Sequence, residues 1–195
     1  MKTLFIPAKA KTDISKVLKK VKLKGKTGTI TTIQYLNQVK KLKGFVFGGQ
    51  VLGCNIENAK KLNVDQFLFI GSGRFHPIYT ALKLNKPVYI ANPETNEFSK
   101  ISNEEVQKLQ NQIKGKLLKY YSANKIGIIV STKPGQNNIK QAIKLKSKLK
   151  KPSFIFITDN ISINELENFP DIDCWINTAC PRIEGKSIIN YEDLS

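Results

Sequence analysis

Three cysteines, a single histidine and a Gly-Ser-Gly turn carry most of the chemistry open to this chain. Cys54 ends the string Gly48-Gly49-Gln50-Val51-Leu52-Gly53-Cys54 and is followed by Asn55. Glycines on that approach let backbone N–H groups come close to a ligand. A thiolate in such a loop suits iron. A lone cysteine also serves as a small buried hydrophobe, and this segment alone leaves both readings open. Cys180 follows an apolar run and precedes Pro181, which fixes the chain direction and removes a competing N–H. Arg182 then offers positive charge beside a thiolate or an anionic ligand, with core packing again the competing reading. Cys174 lies inside the apolar run with no glycine or proline around it, and is assigned to packing.

Gly71-Ser72-Gly73 follows a strand-like run and precedes a helix near His76-Pro77. This arrangement suits a phosphate or cofactor at a helix start, although it lacks the full dinucleotide fingerprint. His76 is expected in the loop that lines the ligand crevice, where it would orient a carboxylate or act near neutral pH. With no second histidine and no nucleophile elbow, classical hydrolase arrangements find no support. One histidine and dispersed cysteines also serve a four-ligand zinc site poorly.

The elements that must position these residues alternate between short apolar strands and amphipathic helices, which predicts an α/β fold with parallel sheets. Strands are expected over Thr3–Pro7, Thr27–Thr31, Phe45–Phe47, Gln66–Ile70, Pro87–Ala91, Ile126–Ser131, Phe154–Thr158 and Cys174–Ala179. Helices are expected over Asp13–Val21, around Ile33, Leu36 and Val39, over Ile56–Leu62 and over Pro77–Leu84. A longer helix should carry the stripe Val106, Leu109, Ile113 and Leu117, and a Lys-rich one should run through Leu149. Capping boxes are read at Ser102 with Glu105 and at Ser162 with Glu165. The last dozen residues have weak periodicity and read as a loop or short tail. The spacing divides the chain into residues 1–21, a linking piece, and two repeated parallel-sheet, Rossmann-like domains with flanking helices, 22–100 and 101–195. Ligands of open parallel sheets gather outside the carboxyl ends of the strands. Cys54, Gly71–Gly73, Lys133–Gln136 and Cys180 all fall at such ends, so the two sheets are expected to offer their loops to one crevice.

Bulk composition narrows the class. At 195 residues with 41% hydrophobic content, the chain can bury one large core or two small ones. Its longest apolar runs have strand length, well short of a membrane span. The first residues hold no signal-peptide core, and three cysteines make no disulfide framework, so a cytoplasmic protein with reduced thiols is expected. Thirty-two basic against fifteen acidic residues give a net charge of +17. Only Arg74 and Arg182 are arginines, whereas phosphate forks and base edges favour arginine. The lysines read as solvated helix faces rather than a dedicated nucleic-acid site, and an anionic partner fits either reading.

Taken together, Gly49-Gln50-Val51-Leu52-Gly53-Cys54-Asn55, Phe69-Ile70-Gly71-Ser72-Gly73, Phe75-His76-Pro77, Lys133-Pro134-Gly135-Gln136 and Ala179-Cys180-Pro181-Arg182 resemble the diphthamide synthase family, in order and spacing, over nearly the whole chain. The Gly-Gln-Val-Leu-Gly-Cys-Asn and Ala-Cys-Pro-Arg strings are the specific ones. The resemblance implies three related α/β domains, each giving one cysteine to a 4Fe–4S cluster whose remaining iron is ligated by S-adenosylmethionine. Cleavage of the Cγ–S bond then gives a 3-amino-3-carboxypropyl radical that adds to a histidine of translation elongation factor 2. On this resemblance residues 22–100 and 101–195 correspond to the family's second and third domains. Cys54 and Cys180 would be their cluster ligands. Gly71, Ser72, Gly73 and His76 would lie close to S-adenosylmethionine, and Gln136 would sit on another crevice loop.

The sequence departs from the family at its start, where the first domain and its cysteine are not represented. Thr3–Pro7 resembles that domain's last strand. The expectation is a split enzyme, with a separately encoded first-domain fragment supplying the third cysteine in a homo- or hetero-oligomer. The alternatives are a noncatalytic scaffold within such a complex and, from another class, a basic RNA-binding protein.

Overall fold

The computed structural model describes Leu4, residues 6–52 and residues 55–194. The chain divides into two compact units, Met1–Lys108 and Leu109–Ser195. In the first unit the strands are β1 (Thr27–Thr31), β2 (Val46–Gln50), β3 (Gln66–Ile70), β4 (Val88–Asn92) and β5 (Glu97–Lys100). They form one sheet in the order β2-β1-β3-β4-β5. The first four are parallel and β5 returns antiparallel to β4. Helical segment α1 (Ser15–Leu18) precedes β1, and α2 (Leu36–Val39), α3 (Glu57–Lys60) and α4 (Phe75–Leu84) connect the four parallel strands in turn.

Alternation along β3 explains the two-sided core. Phe67 and Phe69 pack with Ile30, Val88 and Ile90 against α3 and α4, whereas Leu68 and Ile70 pack with Val17, Tyr35 and Val39 of the α1–α2 side. Both faces of β3 are therefore apolar, as a parallel strand covered by helices requires. Burying each such side chain contributes roughly 1.5–3 kcal/mol.

In the second unit β6 (Ile126–Ser131), β7 (Ser153–Thr158), β8 (Cys174–Asn177) and β9 (Ile188–Asn190) form an all-parallel sheet in the order β7-β6-β8-β9. Helix α5 (Asn103–Ser122) begins in the first unit and ends in the second, and α6 (Ile139–Lys148) and α7 (Ile163–Leu166) follow. Ile126, Ile128, Val130, Cys174 and Ile176 form one core with Ala142 of α6, and Ile129 and Trp175 face the other side.

The two sheets share a packing device. Gly28 of β1 pairs with Phe67 of β3, and Gly127 of β6 pairs with Trp175 of β8. A Cβ on Gly28 would lie 2.9 Å from the Phe67 ring, and one on Gly127 would overlap the Trp175 ring. In each unit a strand glycine makes room for an aromatic ring from the neighbouring strand.

Several expectations from the sequence need correction. The described part of Thr3–Pro7 is not a strand: Leu4 and Ile6 are irregular and 82% and 79% exposed. Among the described residues no strand pairs with them, and Thr3 and Phe5 lie outside the described residues. Strand β2 does not stop at Phe47 but continues to Gln50, because an irregularity absorbs an extra residue: two steps on β1, Thr29 to Thr31, match three on β2, Phe47 to Gln50. Gly49, at φ +80°, supplies the turn in the chain that this needs. Neither β5 nor β9 was expected, since Glu97–Lys100 is a polar edge strand and Ile188–Asn190 is only three residues long. The Ser102–Glu105 capping box forms, with the Ser102 N–H donating to Glu105 Oε2 at 2.9 Å and the Glu105 N–H to Ser102 Oγ at 3.3 Å. The Ser162–Glu165 box does not, because α7 is a single turn and Ser162 makes no side-chain cap.

Candidate functional site

In the first unit the strand ends and the loops after them gather at the carboxyl edge of the sheet. The edge is tied together by backbone bonds, from the Val51 N–H to the Thr31 carbonyl at 2.8 Å and from the Gly71 N–H to the Ala91 carbonyl at 3.1 Å. Thr31 Oγ1 donates to the Ile70 carbonyl at 2.6 Å. After β2, Leu52 and Asn55 exchange backbone hydrogen bonds, and Asn55 Oδ1 accepts the Glu57 N–H at the start of α3. Gly53 and Cys54 fall between these fixed flanks, and both lie outside the described residues.

The Gly71–Gly73 turn is shaped by β3 itself. Side chains alternate along a strand, so Phe67, Phe69 and position 71 share a face. A Cβ at Gly71, which has φ +154°, would come within 2.9 Å of the Phe69 ring. Ser72 and Gly73 are exposed, and Gly73 adopts φ +80° as the chain turns into α4. His76 lies inside the first turn of α4 rather than in the loop expected from the sequence, because the helix starts two residues early at Phe75. Its half-buried ring stands 6.0 Å from the Phe69 ring and 5.3 Å, edge-on, from the Phe75 ring. The imidazole is thus set by aromatic packing directly after the turn.

Arg74 fixes the far side of this turn. Its guanidinium meets the Glu105 carboxylate in a two-point contact, Nε to Oε1 at 2.6 Å and Nη2 to Oε2 at 2.7 Å. It also donates to the Lys100 carbonyl and, at 3.4 Å, to Ser99. The hydrogen bond from Arg74 holds Glu105 below the usual carboxylate range, and the same bond raises the arginine. Beyond β4, Glu94 accepts from buried Tyr35 and from Thr12. Burial first, then Glu94, pushes the Tyr35 phenol up to about 12, so it stays a neutral donor.

In the second unit Cys180 lies just beyond the carboxyl end of β8, half-buried and with a free thiol. The loop that carries it is fastened from beneath by two asparagines, Asn177 and Asn190, only 2% and 5% exposed. Asn177 Nδ2 donates to the Cys180 carbonyl at 2.8 Å and to Asn190 Oδ1 at 2.9 Å, while Asn177 Oδ1 accepts the Ala179 N–H at 2.9 Å. Asn190 Nδ2 reaches the Pro181 carbonyl at 3.3 Å. Cys174, six residues earlier, is fully buried within the core, and burial pushes its thiol up to about 11. It is a packing residue, as its setting in the sequence indicated. Gln136 closes the turn after β6, its N–H donating to the Lys133 carbonyl at 3.0 Å, with its side chain half-buried.

The first unit thus brings Gly71, Ser72, Gly73 and His76 together, and the second places Cys180 and Gln136 after adjacent strands β8 and β6. The positioning groups Arg74–Glu105 and Asn177–Asn190 were missed. Glu105 showed only its capping role, and Asn177 hid at the end of an apolar run whose partner lies thirteen residues on. Among the described residues no three His, Cys, Asp or Glu side chains cluster as a metal site. A sulfur-ligated metal nevertheless suits Cys180, a half-buried thiol on a hydrogen-bonded loop, and does not suit Cys174.

The family model described as "Putative diphthamide synthesis protein" matches residues 1–193. The chain belongs to this family. It is 37% identical to the 2-(3-amino-3-carboxypropyl)histidine synthase of Methanocaldococcus jannaschii, with 98% of this chain and 58% of that protein aligned. It is 33% identical to the Pyrococcus horikoshii synthase over 93% of this chain and 59% of that one. The crystal structure of Dph2 from Pyrococcus horikoshii with a 4Fe–4S cluster superposes with a TM-score of 0.81 at 29% identity, covering 95% of this chain and 62% of Dph2. The chain therefore spans about three-fifths of the length of these diphthamide family members. Among its described residues no helix is long and apolar enough to cross a membrane.

Proposed function

We propose that this chain serves the first step of diphthamide biosynthesis, transferring the 3-amino-3-carboxypropyl group of S-adenosylmethionine to a histidine of translation elongation factor 2 in the cytoplasm. The observation that carries this reading is the free, half-buried Cys180 thiol, held at a strand end by the Asn177–Asn190 pair in a member of the diphthamide family. In the proposal Cys54 and Cys180 are the family's second- and third-domain ligands to a 4Fe–4S cluster. A third thiolate comes from a first-domain segment outside these 195 residues. Such a cluster, when bound, supplies an open iron for the amino and carboxylate groups of S-adenosylmethionine and the electron that starts radical cleavage of its Cγ–S bond.

The chain's own residues then have distinct tasks. Gly71, Ser72 and Gly73 offer backbone to S-adenosylmethionine at close range, since no side chain stands on either glycine. His76, locked between two rings, presents a polar edge at the start of α4. In this reading Gln136, at the turn after β6, offers a further polar side chain to S-adenosylmethionine. Asn177 and Asn190 hold the Cys180 thiol in place while the iron is loaded.

The test is anaerobic reconstitution with iron and sulfide, with and without a first-domain segment added as a separate chain. The visible absorbance of an iron–sulfur cluster should appear on pairing and be lost in Cys54→Ala and Cys180→Ala but kept in Cys174→Ala. The reconstituted pair should then modify elongation factor 2 in the presence of S-adenosylmethionine and reductant. Cluster formation without transfer would make the chain a scaffold, and no cluster in any pairing would sink the catalytic reading.

A further inference from the structure

A cleft of about 480 Å³ opens in the second unit between α5 and the segment that leads into β9. It lies at the opposite edge of the sheet from Cys180. The thiol follows the carboxyl end of β8, whereas Gly185 and Lys186 precede the amino end of β9, where the Trp175 N–H binds the Ser187 carbonyl at 2.8 Å. One wall is formed by Gln112, Gly115, Lys116 and Lys119 of α5. Their spacing, i, i+3, i+4 and i+7, sets them on one helix face. Glu184, Gly185 and Lys186 form the other wall.

Three lysines and one glutamate therefore line a single opening. No ion pair neutralises these lysines among the described residues, and Lys119 makes only a long 3.4 Å contact with Ser187 Oγ. Gly115 is the second independent feature. Glycine inside a helix weakens it, yet a Cβ here would meet nothing within 4 Å, so packing within the protein does not demand it. Gly115 is exposed and its bare backbone lines the cleft. Gly185 is different, because a Cβ there would lie 2.8 Å from Ile188 Cδ1.

We propose that this cleft binds a small phosphate ester carrying free hydroxyls, a sugar phosphate or a nucleotide. Lys116, Lys119 and Lys186 take the phosphate, and Glu184 accepts from a hydroxyl. The volume lies in the range of small-molecule sites, about 300–1,000 Å³, and exceeds what a bare phosphate fills. A carboxylate beside the lysines opposes a simple anion but suits a ligand that brings donors with its charge. This site is independent of the cluster reading and needs neither Cys54 nor Cys180.

Titration calorimetry on the full chain tests it with four probes: inorganic phosphate, ribose, ribose 5-phosphate and adenosine monophosphate. Both esters should bind more tightly than phosphate or ribose if the sugar phosphate is the recognised unit, and adenosine monophosphate alone should do so if the base is read too. The double variant Lys116→Ala/Lys186→Ala should weaken the ester about tenfold or more. Lys140→Ala/Lys144→Ala removes the same charge from α6 and should change it little. Glu184→Gln should erase the advantage of the ester over phosphate, and Gly115→Leu should block the cleft while circular dichroism stays helical. No ester binding, equal binding of phosphate and esters, equal losses in the two lysine pairs, or unchanged binding in Gly115→Leu would each overturn the proposal.

Discussion

The turn after β3 and the loop after β8 occupy the same topological place, just past a parallel strand, but are held by different physics. Gly71–Gly73 works with bare backbone, and its neighbour Arg74 is latched to Glu105 at the surface, with side chains 44% and 30% exposed. The Cys180 loop is gripped from below by two neutral amides that are almost fully buried. The difference follows from what each loop presents. A loop that offers backbone needs its path bent, which glycine and a charged strap on one side achieve. A loop that offers one side-chain atom needs its carbonyls and N–H groups fixed individually, and buried hydrogen bonds do that where water cannot compete.

The aromatic pockets beneath the two sheets give the largest test of how alike the units are. Gly127→Ala should cost roughly 3 kcal/mol, because its Cβ would overlap the Trp175 ring and approach Ile172 Cγ2 at 3.0 Å. Gly28→Ala should cost roughly 1–2 kcal/mol, since the Phe67 ring at 2.9 Å and Leu62 at 3.2 Å can each yield a little. Urea unfolding followed by circular dichroism measures both. Equal costs would mean that the indole has room to shift and that the pockets differ only in which ring fills them.

Breaking the buried amide pair comes next. Asn177→Ala strips the Ala179 N–H, the Cys180 carbonyl and Asn190 Oδ1 of a partner at once. Leaving buried polar groups unpaired should cost about 2–3 kcal/mol, visible in the fluorescence of the sole tryptophan, Trp175. The Cys180 thiol should also react faster with an alkylating reagent, while Cys174, buried and pushed up to about 11, stays unlabelled in the folded protein. A Cys180 rate that does not move would show that the loop is held by its own backbone and not by Asn177.

How much of this was legible in the sequence depends on the range of the interaction. Strands Gln66–Ile70 and Ile126–Ser131 were read to the residue, since their runs of apolar and β-branched side chains report burial on both faces. The Ser102–Glu105 box was legible because both partners lie within one turn. The cysteine and glycine strings could be picked out as candidates because unusual residue types crowd into a few positions. Edge strands β5 and β9 were not readable: one is polar, and the other is three residues long and pairs with β8 only after a crossover. The bond from Asn177 to Asn190 and the Arg74–Glu105 latch span thirteen and thirty-one residues, and no local pattern announces such partners. Residues 53 and 54 lie outside the described residues, so Cys54 rests on its motif and on its family.

The surface latch supplies the smallest effect and the cleanest contrast. Arg74→Ala and Glu105→Gln should each cost about 0.5–1 kcal/mol at low ionic strength, the upper part of the range for exposed pairs because the contact has two points and Glu105 also caps α5. About 1 M salt shortens the screening length to ~3 Å and should erase most of that difference, whereas the Asn177→Ala cost should survive it. The pH dependence has a defined sign. The folded carboxyl of Glu105 lies below its ordinary value of 4.5, chiefly through the Arg74 hydrogen bond. Its contribution is therefore fully present above that value and is lost as the pH falls through the depressed folded one. Arg74 keeps its charge throughout this window. Wild type should lose stability faster than Glu105→Gln on acidification from pH 5, and Asn177→Ala should run parallel to wild type. A latch that ignored both salt and acid would belong with the buried pair, and the distinction between the two loops would collapse.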